Sequence, residues 1–242
     1  MSAAPIGPIY FTVCLTLFFG ISRVGTAYNT TIWGTGTKWG VPGVCFDYRA
    51  VRGPKTRQVF AELGCNVPPV YGDPALLMPY LYDPDVGKEA DLCLIPHMDD
   101  LLPGRFGWWA RQGGPEDLHH RFDRVDRVID GSFLLRLIDI RTPDAAAFVD
   151  LLKSCRRVAS GSLHGIILAE AYGIEWSWIR LNGDIFEKDF KYHDFFLSVG
   201  IEPASVKVGC TFVLFPGHYQ ALICEDWGSR LSSQAPRRLT TC

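Results

Sequence analysis

The chain has 242 residues, 48% hydrophobic and 21% charged, which places it among globular proteins able to bury a substantial core. Its 24 basic and 26 acidic side chains leave a formal net charge of -2, so no global field draws nucleic acid or anionic lipid. Any anionic ligand must be held by local groups.

The 8 cysteines, at 14, 45, 65, 93, 155, 210, 224 and 242, show no CxxC pair and no Cys/His cluster at zinc spacing. Scattered in this way, most read as reduced core or surface thiols, which favours a reducing compartment.

In chain order, "IYFTVCLTLFFGI" at 9–21 is uncharged and apolar, similar to the core of a secretory signal. No Lys or Arg precedes it, Pro5 and Pro8 interrupt its start, and it is shorter than the roughly 18 to 20 residues a membrane-crossing helix needs. Residues 1–30 therefore read as a buried segment or misassigned start in preference to a leader or anchor. The sequon Asn29-Thr30-Thr31 is too common a pattern to decide anything.

From Thr31 onward short apolar runs alternate with helical patterns, which predicts βαβ units and a largely parallel, Rossmann-like sheet flanked by helices. "TIWGTG" and "VCFDYRAVRG" read as strands, and "PKTRQVFAELG" as a helix with Pro54 in its first turn and Gly64 at its end. "PPVYGDPALLMPYL" predicts a brief strand, a turn and a short helix. "ADLCLIPH" lacks alternation, as a strand buried on both faces does. The stretch "LLPGRFGWWARQGGPEDLHHRFDRV", with Trp108 and Trp109, reads as an irregular loop. "FLLRLIDI" resumes the sheet, and "TPDAAAFVDLLKSC" predicts a helix with Thr142 as N-cap. "RRVAS" and "EWSWIRL" are further strands, separated by the helix of "SGSLHGIILAEAYGI". "FEKDFKYHDFFLSVG" is an amphipathic helix closed by Gly200, and residues 201–242 are a weakly patterned segment and tail.

Candidate chemistry gathers at strand ends, where open α/β sheets bind ligands and helix N-termini attract anions. In "SGSLHG", Ser160, Ser162 and His164 bring hydroxyls and an imidazole to such a turn. The pattern is equally satisfied if Ser162 caps the helix and His164 bonds a nearby carbonyl. Arg52 follows the second strand and could fork onto a carboxylate or phosphate, or be an ordinary paired arginine. His97 also ends a strand. Asp73, before Pro74, suits an Asx-turn. Glu170 lies within an apolar helix, which implies a partner such as an Arg or a ligand hydroxyl. Adjacent acids such as Asp99 and Asp100 seldom converge on one ion, so no metal is expected.

The segments "WGTGT", "VRGPKTRQVFAELG", "VYGDPALLMP", "IPHMDD", "SGSLHGIILAEAYGI" and "FKYHDFFLSVG" together resemble, in order and spacing, the polysaccharide pyruvyl transferases of the bacterial exopolysaccharide branch. The likeness covers roughly Ile32 to Gly200 and makes 31–200 the pyruvyl transferase domain. It implies a GT-B-like two-lobed fold, of which this chain carries the C-terminal lobe with the first lobe largely missing. It also implies phosphoenolpyruvate as donor substrate, without a further cofactor, and a glycan or lipid-linked oligosaccharide acceptor whose hydroxyl pair becomes a pyruvate ketal. His164 and Arg52 are then catalytic. Ser160, Ser162, Leu163, Gly165, Glu170, His97, Asp73 and Lys191 are substrate-binding candidates. A cytoplasmic setting is expected, at the inner face of the membrane where the acceptor is lipid-linked. Gly161 departs from the two serines common before Leu-His in the family. Two other readings share the same sheet edge: a nucleotide-sugar glycosyltransferase of the GT-B type, and an inactive truncated module that binds a glycan or anion.

Overall fold

The computed structural model describes residues 31–40, 42–101, 124–129, 131–179, 189–203 and 208–209, and these form two sheets. The expectations for the 9–21 segment, the sequon, Trp108 and Trp109, and the tail beyond 209 lie outside the described residues.

The smaller sheet is parallel. β1 (Thr31–Ile32) pairs with β2 (Asp47–Tyr48), and single bridges join Thr35 to Val51 and Val51 to Tyr71. α1 (Pro54–Glu62) begins at a proline whose φ is already helical and ends before Gly64, which stands at φ 83°, where a side chain would be strained. Its Phe60 closes a buried cluster with Ile32, Tyr48, Val51, Cys65 and Val67. The buried Tyr48 hydroxyl loses its hydration, which pushes its pKa up to about 12. Asp73 then makes the expected Asx-turn: its Oδ1 accepts from the Ala75 amide at 3.0 Å. That turn starts the 3-10 helix Pro74–Leu77, which runs into α2 (Met78–Leu81).

The larger sheet has the order β4-β5-β3-β6-β7-β8. Its strands are β3 (Ala90–Ile95), β4 (Arg124–Ile129), β5 (Phe133–Ile138), β6 (Cys155–Ser160), β7 (Glu175–Ile179) and β8 (Val208–Gly209). α3 (Ala145–Lys153) joins β5 to β6, α4 (Leu163–Ala171) joins β6 to β7, and α5 (Asp189–Ser198) follows β7. Every pairing is parallel except β4 with β5. The chain passes from β3 to β5 on one side, then back across β3 to β6 and onward to β7 and β8. The direction of winding therefore reverses between β3 and β6, and the carboxyl ends of these strands are where a sheet of this topology places its ligand crevice.

α4 is apolar and buried over Gly165–Ala169, with only His164, Glu170 and Ala171 partly exposed. Leu168 and Ala169 join Phe148, Val149 and Leu152 of α3 and the strand residues Cys93, Ile95 and Val158 in one core. Leu163, Ile166 and Ile167 pack instead with Trp178, Tyr192, Phe195 and Phe196 in another.

Three expectations need correction. β4, whose first two residues end the run read as loop and whose other four carried no assignment, is an antiparallel edge strand. Asp-Gly at 130–131 is a hairpin signal, and Gly131 takes φ 76°. The buried Arg136 of β5 holds this edge in register, since its Nε and Nη2 donate to Asp126 at 2.8 and 2.9 Å while Nη1 and Nη2 reach Ser154 and Glu89. The hydrogen bonds from Arg136 hold the Asp126 carboxyl below its usual range. Second, α3 is capped by Asp144, not Thr142: the Asp144 carboxylate accepts from the Ala147 amide at 3.0 Å, and a charged acceptor suits the positive helix end. Third, Cys45 is bonded to Cys65 and Cys93 to Cys155, so these four are not reduced thiols. Sequence positions 20 and 62 residues apart are brought together by the fold, with Cα atoms 5.4 and 5.8 Å apart. The step from reduced thiols to a reducing compartment falls with them. Among the described residues no helix is long and apolar enough to cross a membrane.

Candidate active site

The crevice is built first by backbone. β6 ends at Ser160, and the next amide, Gly161, donates to the Ile95 carbonyl at the end of β3, 2.8 Å away. The buried Ser160 hydroxyl closes the turn: it accepts from the Ser162 amide at 3.0 Å and donates to the Ser162 carbonyl at 2.8 Å. A Cβ on Gly165 would stand 2.3 Å from that hydroxyl oxygen and 3.2 Å from the Ile95 side chain. Gly161 has its own constraint, since a Cβ there would come within 3.1 Å of the His97 amide nitrogen. The family serine missing at this position is thus a contact the β3 end leaves little room for. Tyr192 of α5 donates its hydroxyl to the Gly161 carbonyl and fixes the turn from the other side.

On this frame His164 is the second residue of α4. It keeps part of its surface open yet lies deep among protein atoms. Loss of hydration pushes its pKa below the ordinary 6.5, the Arg52 and Lys191 charges push it further down, and Asp73 opposes them. The imidazole is therefore neutral at neutral pH in this site. Ser162 occupies the N-cap position of α4, but its side chain makes no capping bond. The first amides of the helix are left to other acceptors.

Arg52 comes from the smaller sheet and is buried. A Cβ on Gly36 would fall 2.0 Å from its Nη2, so the guanidinium is laid against bare backbone. Its Nε lies 3.7 Å from Asp194 Oδ2 of α5 and has no hydrogen-bond partner among the described residues. One turn earlier on the same helix, Lys191 Nζ approaches His97 Nε2 at 2.9 Å, and the His97 amide donates to Asp100 at 3.2 Å.

The structure thus brings Arg52, Asp73, His97, His164 and Lys191 to one place. Other sequence candidates have partners within the protein. Glu170 accepts from the Trp176 indole at 2.8 Å through its Oε2, so one partner of this carboxylate is a tryptophan. Ser160 and Gly165 are occupied in holding the turn, and Leu163 is packed in the apolar core. Among the described residues no group of three His, Cys, Asp or Glu could hold a metal ion.

Asp194 and Thr56 escaped the sequence reading. Asp194 is fully buried, its Oδ2 accepting from the Thr56 hydroxyl at 2.6 Å and its Oδ1 from the Thr56 amide at 3.0 Å. The available signal was an acid set among Tyr192, Phe195 and Phe196 in "YHDFF", since a carboxylate on an apolar helix face must have a partner.

Fold and site together define a doubly wound α/β protein whose switch point gathers cations, imidazoles and a helix N-terminus without a side-chain cap. The chain belongs to the polysaccharide pyruvyl transferase family, whose sequence model matches residues 44–182. It is also 38% identical over 145 residues to an uncharacterized protein of Acanthamoeba polyphaga mimivirus, a match that covers 59% of this chain and 44% of the relative. The chain thus matches less than half the length of that curated relative. No solved structure matches it.

Proposed function

We propose that the crevice binds phosphoenolpyruvate and transfers its pyruvyl group to a hydroxyl pair of a glycan, forming a pyruvate ketal. The observation that carries this reading is the buried Arg52, with an unbonded Nε, set beside His164 and Lys191 below the uncapped start of α4. Such a site suits a small ligand with more than one negative charge. Family membership adds the transferase class and the glycan acceptor.

Arg52 would hold the donor carboxylate or phosphate, and the α4 amides would receive the departing phosphate. His164 is neutral in the empty site, but a bound polyanion reverses the effect of Arg52 and Lys191 and draws a proton onto the imidazole. The protonated His164 then delivers that proton to the donor's methylene carbon. A sugar hydroxyl attacks the resulting cationic C2 and returns its proton to the imidazole. Inorganic phosphate leaves from C2, and the second hydroxyl closes the ketal as its proton passes to phosphate. The remaining wall of a two-lobed, GT-B-like cleft would come from the lobe to which the smaller sheet belongs. An acceptor carried on lipid would put this chemistry at a membrane surface.

The test is phosphate release from phosphoenolpyruvate with nitrophenyl or lipid-linked sugars. The full chain should release phosphate only when acceptor is present, and His164→Ala should lower the rate by on the order of 10²-fold or more. Near-normal turnover of His164→Ala would sink the assignment. Phosphoenolpyruvate binding without any release would mark the chain as a binding module.

A further inference from the structure

Among the described residues, Asp194 is the fully buried carboxylate that links α5 to the segment after the smaller sheet, and the chemistry above makes no use of it. It sits on α5, behind the larger sheet, yet its bonds go to the Gly53-Pro54-Lys55-Thr56 turn that follows the smaller one. Oδ1 accepts from the Thr56 amide at 3.0 Å and Oδ2 from the Thr56 hydroxyl at 2.6 Å. The Thr56 hydroxyl in turn accepts from the Thr37 amide at 3.1 Å, which anchors the loop containing Gly36. The fit at Gly53 is close enough that a Cβ would lie 2.0 Å from the Asp194 carbonyl oxygen. The same Oδ2 lies 3.7 Å from Arg52 Nε, so the guanidinium is held between this charge and the bare backbone at Gly36.

We infer that Asp194 is a positioning residue for Arg52: its charge orients the guanidinium toward the crevice while its two bonds to Thr56 clamp the turn that carries it. The inference rests on the reading of Arg52 as the donor's anion ligand. A carboxylate bonded to Arg52 in full would neutralise it and occupy its donors. At 3.7 Å, with both oxygens already engaged by Thr56, Asp194 fixes the cation electrostatically and leaves its hydrogen-bond donors for the ligand. α5 then aligns two cations from one helix face, Arg52 through Asp194 and Lys191 three residues earlier.

The experiment is a double-mutant cycle on the full chain, reading the dissociation constant of phosphoenolpyruvate calorimetrically and thermal stability in parallel. Asp194→Asn keeps an acceptor for the Thr56 amide and removes the charge. It should weaken donor binding about tenfold, and combining it with Arg52→Lys should cost little more than Arg52→Lys alone, because the two act through one group. Thr56→Val removes the clamp's hydroxyl and leaves the charge. It should lower the melting temperature and keep donor affinity within about twofold. Additive losses in the cycle, or unchanged affinity in Asp194→Asn where Arg52→Lys is impaired, would overturn the inference and leave the donor site standing. Unchanged affinity in Arg52→Lys and Arg52→Ala would instead overturn the donor-site reading. If Asp194→Asn does not fold, Thr56→Val decides: a loss of affinity matching that of Arg52→Lys shows that the clamp and not the charge sets the site.

Discussion

His164 shows how one residue's chemistry depends on neighbours that its local sequence does not contain. Between Leu163 and Gly165 it is placed by a strand-to-helix turn, but burial, together with the charges of Asp73, Arg52 and Lys191 from elsewhere in the chain, sets its charge. Because the folded pKa lies below the ordinary value, the unfolded chain binds more protons at mildly acid pH. Stability should therefore fall as pH drops below 6.5, and continue falling until the folded imidazole also protonates. Replacement by Asn should flatten that part of the stability profile, as urea midpoints at stepped pH would show. The same depression predicts net proton uptake when phosphoenolpyruvate binds at neutral pH, since the ligand's charge raises the imidazole pKa. Calorimetry in buffers of different ionisation enthalpy should detect it in the native chain and lose it in His164→Asn. Equal proton uptake in the two would assign the proton to another group. The candidate residues at strand ends, Arg52, His97 and His164, were legible because strand, turn and helix patterns mark where a ligand edge lies. Asp194 was not: its partner Thr56 is 138 positions away, and only folding makes them neighbours.

Among elements, the turn from β6 to α4 has little tolerance for added atoms. Ser160 and Gly165 are five residues apart and occupy one space, the hydroxyl filling the volume that a Cβ on Gly165 would need. Gly165→Ala should destabilise the chain by about 1–3 kcal/mol through overpacking. Adding Ser160→Ala should recover part of that loss by vacating the space, so the pair would be less harmful than the sum of the singles in denaturant unfolding. A double variant as unstable as the sum would show that the strain lies against Ile95 instead. The elements themselves read well from pattern, since β3, α1, α4 and α5 follow the runs of apolar residues and their terminal glycines. β4 was missed for a physical reason. An edge strand paired on one side carries charges such as Arg124 and Asp126 where a central strand carries Val or Leu, and its pairing is set by the buried Arg136 across the ladder.

At the scale of the molecule, two disulfides tie the fold together, one beside the smaller sheet and one between β3 and β6 of the larger. Their closed loops of 20 and 62 residues correspond to about 3 and about 4 kcal/mol of lost chain entropy in the unfolded state. Replacing Cys93 and Cys155 together by Ala and Val should lower the melting temperature more than treating Cys45 and Cys65 in the same way. A reverse order in thermal unfolding would show that strain or residual structure, not loop closure, governs their worth. Such pairs persist in oxidising surroundings, so non-reducing mass mapping of the protein from its own cell would report the compartment it folds in. By itself the sequence determined most element types, the α/β class, the family and the strand ends at which the candidate residues gather, because these depend on local periodicity, on glycine and proline geometry and on short motifs. The tertiary structure alone decided which cysteines bond, which strand forms the edge, that Glu170 faces Trp176, and that Asp194 stands behind Arg52. Each of those is a contact between residues far apart in the chain, and the free energy that selects it comes from burying both partners together.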